Sequence, residues 1–321
     1  MIQSALSPAG PNAGSISRLW WLMFIVCSIV FFVVMIALLL SLRRRTAEPI
    51  SELTPTIEPP REQERRRRNV VISAVTVTVV ILFVFLIASY RTGRAISSNR
   101  PDKTGLSIDL TGHQWWWEVR YSDVDASNIF TTANEIHIPV GVPVVFTLHG
   151  GDVIHSFWVP NLAGKKDLIP GKVNVIWLQA DKPGVYRGQC AEYCGLQHAK
   201  MALWVIAEPQ EQFNAWRQDQ TQTSVPPSTD SQKRGQQVFM SSTCVMCHAI
   251  NGTPAGSNVG PNLTHVGSRN TIAAATLQNT REHLAQWIRD SQSVKPGNKM
   301  PQHNLSDADL QAVVDYLQSL K

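Results

Sequence analysis

The sequence predicts a multidomain membrane protein: a two-helix transmembrane hairpin, then a β-sandwich, then a small all-α domain. Three observations predict this order. Two charge-free apolar runs stand near the N-terminus, Leu19 to Leu42 and Val70 to Tyr90. A middle segment alternates apolar and polar residues between turns of Gly, Pro, Asn and Asp. Beyond a polar Pro/Ser/Thr-rich stretch, the apolar spacing becomes helical. A chain of 321 residues has room for about two folded units plus such extras.

Each apolar run is long enough, at about 1.5 Å per residue, to cross a hydrocarbon core of about 30 Å. The first lacks a basic leader and a small-residue cleavage site, and the second is internal, so both read as spanning helices (19–42 and 70–90) rather than a signal peptide. The loop between them, residues 43–69, carries arginine at 43 to 45, 61 and 65 to 68. Short arginine-rich loops stay in the cytoplasm, which places residues 1–18 and everything after residue 90 outside. Cys27, inside the first span, reads as a packing residue.

Five stretches in the outer part read as strands: 106–111, 133–139, 142–150, 174–180 and 201–207. Short strands with such turns argue for a β-sandwich or Greek-key barrel of about 100 residues. This gives a domain over 91–217, a polar linker over 218–230 and a helical domain over 231–321. In the last, Leu310, Val313, Val314, Leu317 and Leu320 share one helix face behind a capping pair at Ser306 and Asp309. Residues 101–218 carry nine basic against twelve acidic side chains, net -3, while 231–321 carry eight against five, net +3. The total of +5 is therefore no nucleic-acid signature, and the opposite charges favour transient docking of one outer domain on the other.

Within the helical domain stands CVMCH, residues 244–248. Cys-x-x-Cys-His is the attachment signature of haem c, in which Cys244 and Cys247 add to the vinyl groups and His248 is aimed at the iron. A redox dithiol expects a βαβ setting and a zinc site expects a second ligand pair, and neither pattern is present. Met300, in a Pro/Gly loop before the last helix, sits where a class I cytochrome c carries its sixth ligand, with His265, His283 and His303 as substitutes. Resemblance to that family also implies that the Pro261 carbonyl orients His248.

The stretch GQCAEYCGLQHAKM, residues 188–201, offers several more ligands. A Cys190–Cys194 disulfide would close a very short loop and leave His198 and Met201 without a purpose. Zinc would accept two thiolates with His198 and His155, but it does not use a thioether. Thiolate, thioether and imidazole on a β-sandwich is copper chemistry, and a second cysteine four residues on suggests two coppers bridged by two thiolates.

The pattern of His155, Cys190, Cys194, His198 and Met201 closely resembles the binuclear copper site of the cytochrome c oxidase subunit II family. The two N-terminal helices, GHQWWWEVRY at 112–121 and the C-terminal cytochrome extend the likeness to the caa-type branch. The resemblance implies a cupredoxin-like sandwich and an all-α class I cytochrome c domain. It implies that Glu192 gives its backbone carbonyl to one copper and its side chain to a magnesium shared with the catalytic subunit. It makes Trp115 the surface point where electrons arrive, with His113 and Gln114 near subunit I.

The implied function is delivery of electrons from a cytochrome c, soluble or membrane-bound, through haem c and the copper pair to haem a of a catalytic subunit that reduces dioxygen and pumps protons. Partners would be subunit I and other oxidase subunits, with the copper and haem domains on the periplasmic side of a bacterial inner membrane and no nucleic acid bound. A nitric oxide reductase subunit, which uses the same copper site, and a membrane-anchored copper-binding protein are the alternatives. No residue reads as a general acid, base or nucleophile, and no proton role is assigned to Glu62 or Glu64.

Overall fold

The computed structural model describes residues 3–44, 61–98 and 105–321. Residues 45–60 of the arginine-rich loop and the connection 99–104 lie outside the described residues. Two long helices come first, α1 (Pro11–Arg44) and α2 (Arg61–Ser98). Each is longer than the apolar run at its centre, since arginine and serine continue the backbone hydrogen-bonding pattern where charge has no place in lipid. Val71, Phe83 and Leu86 on α2 and Phe31 and Phe32 on α1 are exposed, as a lipid-facing helix requires. From Ser15 onward, α1 forms one compact unit with α2. A second unit holds residues 101–321 together with the first fourteen.

That second unit contains a sandwich of ten strands. They are β1 (Ser107–His113), β2 (Trp116–Ser122), β3 (Phe130–Ala133), β4 (Glu135–Pro139), β5 (Val144–Gly150), β6 (His155–Trp158), β7 (Lys166–Leu168), β8 (Asn174–Leu178), β9 (Gly184–Cys190) and β10 (Ala202–Glu208). One sheet runs β3-β2-β1-β5-β8 and the other β4-β10-β9-β6-β7, with β1/β5 and β4/β10 parallel. Alternation of side chains along each strand turns Ile108, Leu110, Trp117, Val119, Phe146, Leu148 and Phe157 into a shared core. Helix α3 (Gln210–Gln220) follows and closes one end with Phe213 and Trp216. The segment before α1 and the first turn of α1 are sewn onto the same sandwich: Ala9 N donates to Asn161 O and Asn12 Nδ2 to Trp177 O, both at or below 2.9 Å.

The haem-motif region folds as α4 (Asp230–Ser241), a small hairpin of β11 (Thr271–Ile272) and β12 (Leu277–Gln278), then α5 (Arg281–Arg289), α6 (Ser291–Val294) and α7 (Asp307–Ser319). Thr229 and Gln232 close α4 with a capping box, and Ser306 accepts from Asp309 N at the start of α7, the capping pair that the sequence predicts. Its core includes Phe239 on α4, Ile288 on α5 and Val314 and Leu317 on α7.

The five strands read from alternation correspond to β1, β4, β5, β8 and β10. Of the other five, β2 does alternate, with Trp117, Val119 and Tyr121 buried between more exposed residues, and the rest are short or carry little alternation. β2 lies inside the tryptophan motif, β7 has three residues, and β9 begins at Gly184 and ends in the cysteine loop. The linker differs from expectation too. α3 runs through Gln220, and beyond it Ser224 N donates to Asn251 O and the Gln222 carbonyl lies 3.2 Å from His265 Nε2. Hydrogen bonds to the helical domain hold a segment whose composition reads as free chain.

Candidate copper and haem sites

β6 opens with His155, β9 ends with Cys190, and the loop from Cys190 to Met201 folds back over the end of the sandwich. His155, Cys190 and Cys194 have their ligand atoms within 4.8 Å of one another and are all buried. Cys190 Sγ stands 3.9 Å from His155 Nδ1 and 3.1 Å from the Glu192 carbonyl oxygen. Cys194 Sγ stands 3.6 Å from His198 Nδ1 and 3.8 Å from Met201 Sδ. Both cysteines are free thiols, and so are Cys27, Cys244 and Cys247. Two sulfurs, two imidazole nitrogens, a thioether and a carbonyl thus converge, a donor set that suits copper.

A hydrogen bond from Cys194 holds the Cys190 thiol well below its usual range, and the same bond together with burial raises Cys194. Burial alone would hold His155 down, but Cys190 and Asp152 beside it raise it. Asp152 is the residue that sequence reasoning missed. Its Oδ1 lies 2.8 Å from His155 Nε2, so the ring's remaining nitrogen, Nδ1, faces the sulfurs. Asp152 also accepts from Gln114 N and Val153 N, each at 2.7 Å. Its place three residues before His155 in GDVIH was the available signal. Gly112 gives the same ring its room, since a Cβ there would stand 2.8 Å from His155 Cδ2.

The side chain of Glu192 points away from the sulfurs. It is 44 % exposed and pairs with Lys165 at 3.5 Å, while its carbonyl turns inward. Trp115 departs from expectation. It is only 8 % exposed rather than on the surface, because the helical domain covers the turn that carries it. Its Nε1 donates to the Cys194 carbonyl at 2.9 Å, and Gln114 Nε2 donates to the same oxygen at the same distance. Trp116 stacks on His113 with centroids 4.6 Å apart, and Trp117 is fully buried in the sandwich.

A cavity of about 800 Å³ occupies the helical domain, and its lining includes Cys244, Cys247, His248, Pro261, Met300 and His303. The Pro261 carbonyl accepts from His248 Nδ1 at 2.7 Å, which leaves Nε2 as the nitrogen able to bind a metal. Burial holds this imidazole below its usual range and so neutral, despite the Pro261 bond that opposes it. Gly260 is needed at its position because a Cβ there would stand 2.8 Å from His248 Cε1. Met300 N donates to Asn298 Oδ1, and its carbonyl accepts from Ser291 Oγ and Gln292 Nε2. Of the substitute ligands, His303 lines the cavity, whereas His265 faces Gln222 and His283 faces Gln278. Two thiols, an oriented imidazole and a thioether around an apolar cavity suit a covalently attached haem. His113, Gln114, Trp115 and Trp116 form part of the same cavity's wall, so the sandwich contributes one side of it.

Residues 106–208 match the family described as cytochrome c oxidase subunit II, periplasmic domain, and residues 232–321 match cytochrome c. The chain is 38 % identical to cytochrome c oxidase subunit 2 of Alkalihalophilus pseudofirmus, over 99 % of this chain and 91 % of that one. It is 34 % identical to cytochrome c oxidase subunit 2 of Bacillus sp. PS3, over 75 % of this chain and 68 % of that one. Among solved structures, the periplasmic domain of subunit II of cytochrome oxidase from Bradyrhizobium japonicum is 32 % identical, covering 38 % of this chain and 96 % of that one, with a TM-score of 0.35. The chain belongs to the cytochrome c oxidase subunit II family, in the form fused to a cytochrome c domain, and is a membrane-anchored part of a haem-copper terminal oxidase with its copper and haem domains outside the membrane.

Proposed function

We propose that the chain takes electrons from an external cytochrome c, soluble or membrane-bound, and passes them through covalent haem c and a binuclear copper centre to haem a of the catalytic subunit, where dioxygen reduction is coupled to proton pumping. The observation that carries this reading is the meeting of His155 Nδ1 and the sulfurs of Cys190 and Cys194 within 4.8 Å, with Met201 and His198 beside them. Bound in these sites, copper and haem supply reversible one-electron chemistry.

The chain's own residues supply position. The thiolates of Cys190 and Cys194, Nδ1 of His155 and His198, the Met201 sulfur and the Glu192 carbonyl would hold the copper. Burial of Cys190, Cys194, His155 and Met201 excludes water, which keeps the site rigid and its reorganisation small. Asp152 fixes the His155 ring, and Pro261 fixes His248. Cys244 and Cys247 would hold the haem covalently, and His248 and Met300 would hold its iron. The Glu192 carboxylate is partly exposed, and release from Lys165 would let it share a magnesium with the catalytic subunit. Residues 91–217 would thus be the copper-holding unit, 218–230 the connection and 231–321 the haem-holding unit.

Three substitutions in the full chain test this. Cys194→Ser is expected to abolish the binuclear copper spectrum while covalent haem persists. Met201→Leu is expected to keep both coppers and shift their potential. Cys244→Ala is expected to lose one of the two thioether links to haem. An unchanged metal content and spectrum in Cys194→Ser would sink the copper assignment.

A further inference from the structure

Lys295 is a charged side chain that the proposed electron route does not use. It lies five residues before Met300, yet it is only 2 % exposed. Its Nζ donates to the Trp115 carbonyl at 2.8 Å and to the Ala273 carbonyl at 3.3 Å. One acceptor belongs to the copper-holding sandwich and the other to the haem-holding domain, so a single ammonium joins the two. Burial pushes this amine down to about 7, the Lys200 charge adding to the effect and Cys194 opposing it. Such burial is costly for a lysine, and it is sustained here only while both carbonyls are in place.

The surroundings of Lys295 repeat the theme. From the cysteine loop, Gln197 Nε2 donates to Pro296 O at 2.6 Å and Lys200 Nζ to Val294 O at 2.5 Å. Residues 294–296, which lead to Met300, are therefore held by the loop that carries the copper donors. The backbone joins in as well. Ala273, Ala274 and Ala275 all lie in the left-handed region, with φ of 54°, 57° and 57°. Three consecutive non-glycine residues there are strained, and strain of this kind persists where surrounding contacts impose it. This turn aims Ala273 O at Lys295 and Ala274 O at Ala202 N, the latter at 3.3 Å.

A second contact fixes the angle. Glu135 on β4 is 3 % exposed, and its carboxylate accepts from Asn270 N, Thr271 N and Thr271 Oγ1 at 2.7 to 3.1 Å. Among the described residues, only one cross-domain ion pair is found, Lys299–Asp152 at 3.4 Å. The contacts of Lys295, Glu135 and Gln197 are buried and directional, unlike the salt-sensitive encounter that opposite net charges suggest.

We propose that Lys295 is a positioning residue that latches the Met300 loop to the Trp115 turn and, with Glu135, keeps the haem-holding domain permanently docked so that Trp115 walls the haem cavity. The docked geometry stands on the contacts above; its use in electron transfer rests on the function proposed for the two sites. Docking of this kind makes haem-to-copper transfer a unimolecular event in a single arrangement. A tethered but free domain would instead sample many arrangements.

The test compares the full chain with Lys295→Met and Lys295→Arg. Amide hydrogen exchange, which needs neither metal nor haem, reads the docking at Ala202, Asn270 and Thr271. In the unsubstituted chain these amides are expected to be protected. Lys295→Met is expected to speed their exchange at least tenfold while the amides of α7 and of β1 keep their protection, and Lys295→Arg is expected to restore part of it. In the loaded chain, the rate of intrachain electron transfer after rapid reduction of the haem is expected to be the same at low and high salt. In Lys295→Met it is expected to fall at least tenfold and become salt-dependent.

Exchange at those amides that is equally fast in the unsubstituted chain, or equally slow in Lys295→Met, overturns the latch. So does an intrachain rate that drops with salt in the unsubstituted chain, which also covers the case in which the variant fails to fold. Loss of haem or copper with exchange behaving as expected would instead count against the proposed function and leave the latch standing.

Discussion

Asp152 holds one nitrogen of His155 and so decides which nitrogen remains for a metal. Carboxylates behind a ligating imidazole set its orientation and basicity, and their loss typically costs about 10–100-fold in metal affinity. Asp152→Asn is accordingly expected to weaken copper binding by that order while the protein stays folded, as read by titration against a competing chelator. At the other site, Gly260→Ala is expected to reduce covalent haem or distort its axial ligation, because the added methyl meets the His248 ring. Haem-dependent absorbance on a denaturing gel and the ferric visible spectrum check it. Cysteine, histidine and methionine were legible in the sequence because residue type and spacing carry their chemistry. Asp152, Glu135 and Lys295 were not, since a carboxylate or an amine acquires its role only from the partner that folding brings to it, here Lys295 meeting the Trp115 carbonyl across 180 positions.

Strands and helices show the same division. Alternation revealed strands whose two faces differ, such as β1, where buried residues alternate with partly buried ones. It failed for β6 and β7, which have four and three residues and owe their pairing to each other and to β9. Helix α3 escaped notice because only two large apolar residues mark it. Phe213 is buried against the sandwich, and Trp216 lies against Tyr121, Phe130 and stacked His137. Phe213→Ala should therefore cost about 3–5 kcal/mol of sandwich stability, the usual range for a buried aromatic truncated to alanine. The thermal midpoint followed by tryptophan fluorescence measures this, and an unchanged midpoint would mean that α3 is not part of the folded sandwich.

For the whole molecule, composition indicated two outer domains of opposite charge, but charge totals could not reveal that they meet through buried side-chain-to-backbone bonds. The connection between them behaves accordingly. Since Ser224 and Gln222 are bonded to the helical domain, limited proteolysis of the full chain is expected to spare residues 221–229 as long as that domain is folded. The outer part then presents the copper donors and the haem cavity as parts of one body, held outside the membrane by α1 and α2.

The most direct measurement is quantitative metal and haem analysis of the full chain together with its EPR spectrum. The account predicts two coppers sharing one unpaired electron and one covalent haem per chain. A single zinc ion at Cys190 and Cys194, or a cystine bridge between them, would contradict it.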